Sequence, residues 1–185
     1  MRSARGWLCL SSVVLCAAPA VAVDAYRGIE LPAQLAGFRR GSVTDNEATS
    51  PGLGLTIAYG APGIKATVFV YNSGIQRLPE GTNNVTVHAQ AQQALQDITN
   101  AYSGVHILEP LAPGPGSCAN FLRAKVSYKD KRPDATELLH SFLYIGSRKG
   151  NFLKVRLSYA AKLAFATGVV SEFRFTQAFC ALVNQ

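Results

Sequence analysis

The spacing of apolar and polar positions along this chain changes several times, and each change marks an element. Leu53, Leu55, Ile57 and Tyr59 recur at every second residue, the period of a strand with one buried face. Ala61-Pro62-Gly63 follows as a tight turn. Ile64 to Tyr71 (IKATVFVY) is β-branched and aromatic and apolar on both faces at its centre, which predicts a central strand forming a hairpin with the one before it. Ahead of these, Phe38 to Thr44 predicts a first strand behind the short opening stretch Ile29-Glu30-Leu31-Pro32. After a loop from Asn72 to Gly81 the period lengthens. Thr82, Asn83 or Asn84 supplies a cap for a run from Val85 to Tyr102 that is free of Gly and Pro. Val87, Ala91, Ala94, Leu95, Ile98 and Tyr102 fall on one stripe, while Gln92, Gln93, Gln96, Asp97 and Asn100 largely fill the remainder. An amphipathic helix is expected there, stopped at Ser103-Gly104.

The second half repeats the plan. Val105 to Glu109 reads as a short strand, and Pro110 to Gly116 as a connector leading to Cys118. Leu122, Ala124, Val126 and Tyr128 then point one way, with Arg123, Lys125, Ser127 and Lys129 pointing the other. Lys129 to Asp134 turns the chain into Thr136 to Ile145, a long and mostly apolar strand. Ser147-Arg148-Lys149-Gly150 turns it again. Leu153, Val155, Leu157 and Tyr159 face inward, and Lys154, Arg156 and Ser158 outward, so three strands make an antiparallel meander. A closing helix is expected from about Val169 to Val183, burying Val169, Val170, Phe173, Phe179, Cys180 and Val183, with Phe175 and Leu182 widening the stripe. The sum is an α+β fold, an antiparallel sheet with two long helices packed on it. The Pro/Gly clusters read as connectors inside one domain, and no internal repeat is visible.

The first residues alter where that domain should work. Arg2 and Arg5 make a basic start, Trp7 to Ala18 is apolar, and Ala20-Val21-Ala22 offers small residues at a cleavage point. This predicts a signal peptide over residues 1–22 and an α+β domain over 23–185. The apolar run falls short of the about 20 residues that span a bilayer. Leu8 and Leu15, not small residues, precede Cys9 and Cys16, which argues against a lipoprotein. The expected product is a soluble exported protein, periplasmic or else secreted, with no transmembrane segment after cleavage. It keeps Cys118 and Cys180, whose simplest state in an oxidising compartment is a disulfide closing a loop of about 60 residues, worth roughly 4 kcal/mol by chain entropy. Two separate buried thiols are the alternative. A chain of this length buries a little under about 70% of its unfolded surface, so no structural metal is required.

Charge becomes informative once it is divided. The full chain carries a formal +7. From Val23 to Pro110 there are 5 Lys/Arg against 7 Asp/Glu, a balance of −2, whereas Leu111 to Gln185 holds 11 against 4, a balance of +7. Such asymmetry fits an anionic partner on one face, or simply a basic solvated surface.

Leu31-Pro32, Leu35-Ala36-Gly37-Phe38, a strand hairpin, a mid-chain helix, a hairpin-rich second half around Lys149-Gly150-Asn151-Phe152-Leu153-Lys154-Val155-Arg156-Leu157 and a closing helix follow one another in this chain. In that order it resembles the PsbP-like superfamily, which includes small exported bacterial proteins of the DcrB type. The likeness covers most of the chain after the leader. It implies an αβα sandwich and an accessory or binding role, and it brings no catalytic residues, since the superfamily is not defined by a shared active site.

Candidate chemistry is sparse. His88, His106 and His140 share no metal-ligand spacing, so neither metal nor cofactor is expected. Glu137 and His140 are three apart, which on a strand puts them on opposite faces. The segments Gly114 to Cys118 and Gly146 to Gly150 each hold a Ser among glycines, but neither reads G-x-S-x-G between a strand and a helix. Walker, dinucleotide and H-E-x-x-H patterns are missing. The most site-like feature is a row of cations: Arg123 and Lys125 on one strand, Lys154 and Arg156 on another, extended by Arg148 and Lys149 at a turn, with His140 nearby. On a shared face these would engage carboxylates, phosphates or lipid headgroups. The plainer alternative is a solvated sheet face whose charge discourages edge pairing. Nucleic acid fits poorly, because export argues against it and aromatic residues do not interleave with the outward cations. Asn84-Val85-Thr86 has the form of a glycosylation sequon but overlaps the helix start. The expectation is a non-catalytic periplasmic binding or accessory protein of the cell envelope, engaging an envelope protein or an anionic ligand. The alternative is a small exported hydrolase whose polar residues converge only in three dimensions.

Overall fold

Each half of the chain lays down strands and closes with a helix, and the last strands of the two halves meet in the middle of one sheet. The structure, a computed structural model, describes residues 25–129, 136–163 and 165–185. The expected leader over residues 1–22, and residues 130–134 of the expected turn, lie outside the described residues. A small hairpin of β1 (Ala25–Tyr26) and β2 (Ile29–Glu30) comes first. Next are β3 (Gln34–Leu35), β4 (Phe38–Asp45), β5 (Leu55–Ala61), β6 (Ile64–Tyr71) and the helix α1 (Val85–Ala101). The second half comprises β7 (Ser103–Pro113), a 3-10 turn at Gly116–Cys118, β8 (Leu122–Lys129), β9 (Leu138–Arg148), β10 (Asn151–Ala160) and the helix α2 (Phe165–Val183). One sheet of eight strands runs in the order β3-β4-β5-β6-β10-β9-β8-β7, every neighbour antiparallel. The protein is therefore α+β, with a large antiparallel sheet and two helices.

Local chemistry accounts for the junctions. Lys149 and Gly150 link β9 to β10 with φ of 48° and 71°, the double left-handed turn that matches strand twist in a two-residue hairpin. Asn84 is the residue that caps α1, its Oδ1 accepting from the Val87 amide at 2.9 Å. Val87, Ala91, Ala94 and Ile98 are buried as the stripe predicts.

Several expectations need correction. Leu53 is 54% exposed because β5 begins two residues later, and the buried alternation is Leu55, Ile57 and Tyr59. Gly104 does not stop α1. Tyr102 is already extended and Ser103 begins β7, which runs through the expected connector as far as Pro113. That strand tolerates Pro110 and Pro113 because it forms the sheet edge, and its pairing with β8 shifts register three times. In α2, Val170 and Phe173 are exposed, whereas Glu172, Phe175, Thr176, Phe179, Cys180 and Val183 are buried. The buried stripe is rotated from the expected one because it admits two polar side chains that an apolar count leaves out.

The Cys118–Cys180 disulfide is formed, with Cα atoms 5.1 Å apart, and ties α2 to the 3-10 turn before β8. Phe175 packs on Phe38 and Tyr59 at 4.7 and 5.5 Å between ring centroids. Leu153, Val155, Leu157 and Tyr159 of β10 join these α2 residues in one cluster, while Phe152 joins Val87 and Ala91 of α1 in another. Each such fully buried apolar side chain contributes about 1.5–3 kcal/mol. No helix among the described residues is long and apolar enough to cross a membrane.

Candidate functional site

Register decides the fate of the expected cationic row. Arg123 lies opposite Tyr144, which lies opposite Val155, and Lys125 aligns through Phe142 with Leu157. Lys154 and Arg156 align instead with Ile145 and Leu143, and through these with Leu122 and Ala124. Side chains directly opposite one another share a face, so Arg123 and Lys125 project on the face that meets α2, and Lys154 and Arg156 on the one that meets α1. The four cations do not form one patch.

On the α2 side the charges are consumed locally. Arg123 forms an ion pair with Glu109 of β7, and its Nε donates to the Tyr144 hydroxyl at 3.0 Å. That hydroxyl donates to Glu172 Oε1 at 2.6 Å. Burial raises the Glu172 carboxyl above its usual range, a shift opposed by the Tyr144 hydrogen bond and by Arg123. Lys125 reaches Glu109 at 3.9 Å and lies 5.2 Å from the Phe142 ring centre. Arg148 and Lys149 are also engaged. Arg148 pairs with Glu80 and donates to the carbonyls of Val183 and Asn184 at 3.2 and 2.9 Å, holding the end of α2. Lys149 Nζ donates to the Gly28 carbonyl at 2.9 Å, and its amide donates to Glu80 at 3.0 Å.

On the other side, a groove of about 1020 Å³ opens over β6 and β10 beyond the end of α1. Lys65, Thr67, Phe69, Arg156 and Ser158 floor it, with Tyr102 and Tyr128 at one wall. The Arg156 guanidinium lies 4.5 Å from the Tyr102 ring centre and 5.1 Å from that of Tyr128, close enough for cation–π attraction to both. Its Nε donates to Ser141 Oγ at 3.3 Å. Ser141 is bonded in turn to Ser158 at 2.9 Å, and Ser158 accepts from Tyr128 at 3.2 Å. Arg156 Nη2 is buried with no hydrogen-bond partner. At the rim Lys162 pairs with Glu137 at 2.6 Å.

A smaller recess of about 140 Å³ lies between α1 and the sheet and shares Phe69 and Arg156 with the groove. Lys154 lines it, its Nζ 4.3 Å from the centre of the Phe69 ring and 5.5 Å from that of Tyr71. Desolvation lowers the Lys154 pKa, an effect opposed by Asp97, which lines the same recess. The arrangement can stabilise negative charge in a partly dry setting.

Sequence reasoning found Lys154 and Arg156 but missed Lys65, Thr67 and Phe69 as their companions. The signal was present in β6, where Lys65, Thr67, Phe69 and Tyr71 alternate with Ala66, Val68 and Val70. That set grades from exposed Lys65 to buried Tyr71, as expected of a face that passes from open groove to helix-covered core. The histidines stay apart from the groove. His88 and His106 are exposed, and His140 sits edge-on to Tyr159 at 5.8 Å on the face of Lys125. Burial, then Lys125, lowers the His140 pKa.

No protein-family model matches this chain, and the search of curated proteins returns no significant match. Among solved structures, the solution structure of cyanobacterial PsbP (CyanoP) from Synechocystis sp. PCC 6803 is similar over 78% of this chain and 92% of its own, with a TM-score of 0.42 and 10% identity. A likeness of that size assigns neither family nor function.

Proposed function

We propose that this chain is an exported, non-catalytic accessory protein of the cell envelope that binds an anionic ligand or partner through the sheet face beside the end of α1. One observation carries the reading: Arg156 is held beside the paired rings of Tyr102 and Tyr128 on the floor of an open groove, and its Nη2 is left without a hydrogen-bond partner. Burying a donor unmatched costs about 1–3 kcal/mol, more when it is charged, and an incoming carboxylate or phosphate near the guanidinium offsets that cost. Export to the periplasm is supported by the basic and apolar leader pattern and by the Cys118–Cys180 bond, which persists in an oxidising compartment. The finer architecture proposed is an αβα sandwich of the PsbP-like, DcrB-related kind. It is supported by the alternation along β10 of side chains that meet α2 and side chains that meet α1.

The test is a nuclear magnetic resonance titration of the oxidised 23–185 chain with inorganic phosphate and with acetate, following the Arg156 Nε–Hε signal. Saturable shifts centred on Arg156 and absent in Arg156→Gln are expected. Shifts spread evenly over all surface lysines and arginines would reject the site.

A further inference from the structure

The recess beside the groove has the wrong chemistry for a core void. Its polar wall is Lys154, Arg156 and Asp97, two cations against one carboxylate, and the remainder is Phe69, Ala94, Ile98, Ala101 and Leu143. The Asp97 carboxylate also accepts from Gln93 at 2.8 Å, on the outer side of α1. A net positive charge in a mostly apolar recess destabilises the fold unless an anion enters. The space of about 140 Å³ equals four or five water volumes at about 30 Å³ each, enough for a carboxylate or a phosphate group. Next to it the groove continues past Thr67, Phe69, Tyr102 and Leu139, which give it an apolar strip beside its polar floor.

We propose that the recess and the groove together form a binding site for a monomeric amphipathic organic acid, with its anionic head between Lys154 and Arg156 and its apolar body along the groove over Phe69 and Tyr102. This rests on the anion-binding reading above and adds the ligand's second half. Neither half alone explains the geometry. A bare anion leaves the aromatic floor unused, and a neutral apolar body leaves the Arg156 Nη2 without a hydrogen-bond partner and two cations facing the Asp97 carboxylate. The lowered Lys154 pKa accords with a cation held away from water, and an anion seated beside it would raise that pKa again.

The test is a calorimetric and nuclear magnetic resonance titration of the oxidised 23–185 chain with acetate, butyrate, hexanoate and octanoate, and with octanol as the neutral comparator. Affinity is expected to rise by about two- to four-fold per added methylene, the range set by partial burial of each one. Octanoate should bind at least about ten-fold tighter than octanol, the effect of charge-assisted hydrogen bonds. Lys154→Gln and Arg156→Gln should each remove that preference. Lys125→Gln, on the other face, serves as a folded control and should not. Acetate binding at Arg156 with no gain from longer chains overturns this inference and leaves the anion-binding proposal standing. No response to any acid removes both. Retention on vesicles of anionic phospholipid without a response to octanoate overturns it in favour of membrane docking.

Discussion

Replacing both half-cystines, Cys118→Ala with Cys180→Ala, should lower stability by about 4 kcal/mol. The bond closes a loop with a sequence separation of 62, and the chain-entropy relation then gives about 4 kcal/mol at room temperature. Both sulfurs are buried in the cluster that holds Phe121, Phe175 and Phe179, so alanine also leaves a small void and adds to the loss. Against a typical total of about 5–15 kcal/mol, this is a large fraction. The assay is urea unfolding followed by far-ultraviolet circular dichroism, with the wild type measured oxidised and reduced. At a slope of about 2 kcal/mol per molar the midpoint should fall by about 2 M. The reduced wild type should fall nearly as far as the double variant, because it loses the crosslink but keeps the sulfur atoms. A drop in the double variant alone would assign the loss to packing. A shift below about 0.5 M in both would refute the view that the crosslink constrains the unfolded chain.

Glu172→Gln should stabilise the protein at pH 7 and give no advantage near pH 4. The buried carboxyl has a raised pKa, so its favourable contribution is full below about 4.3, its unfolded value, and is lost as pH rises through the folded one. It faces Tyr144 on β9, Arg123 and Lys125 on β8 and Glu109 on β7, and thermal midpoints at the two pH values check the sign; a loss at pH 7 would mean that Arg123 depends on that charge. Gly54→Ala should cost at least about 2 kcal/mol by denaturant unfolding, because φ there is +53° and a Cβ would lie 2.0 Å from the Val70 carbonyl oxygen; a change within half of that would show that the backbone can move aside. Lys154→Met should leave the thermal midpoint unchanged or raise it, since an aliphatic chain against Phe69 and Tyr71 needs no desolvated charge; a loss above about 1 kcal/mol would make the cation–π contacts structural.

Several element boundaries are legible from period alone, because the strongest determinant of each is local. Asn84 stands just before a Gly-free and Pro-free run, and Lys149-Gly150 sits between two alternating segments. Two of the failures have a non-local cause. Gly104 has the sign of a helix stop, but β8 offers a pairing edge that draws Ser103 and the residues after it into β7 at once. The phase of α2 departs from its apolar stripe because Glu172 and Thr176 face the sheet, a placement made tolerable by Tyr144, whose hydroxyl donates to Glu172, and by the bond from Thr176 Oγ1 to the Glu172 carbonyl at 2.9 Å.

The candidate site turns on a subtler point, the relative phase of two strands that alternate correctly on their own. In Arg123-Ala124-Lys125 and Lys154-Val155-Arg156 the cations occupy equivalent places in the pattern, yet antiparallel register puts the two pairs on opposite faces. Their fates follow from what each face offers. Next to Arg123 and Lys125 the edge strand supplies Glu109, and α2 supplies Glu172 behind Tyr144, so charge is answered within the protein. Next to Lys154 and Arg156 the neighbours are the Asp97 carboxylate and Phe69, Tyr71, Tyr102 and Tyr128, aromatic rings that attract a cation without neutralising it. A polar row on an isolated strand therefore says only that one face differs from the other. Whether that row is a solvated surface, an internal ion-pair network or an unanswered charge beside a groove depends on the opposing residues. Here Lys154 and Arg156 come nearest the third condition, with the Asp97 carboxylate lining their recess, and the proposed ligand is an external anion that supplies the balance.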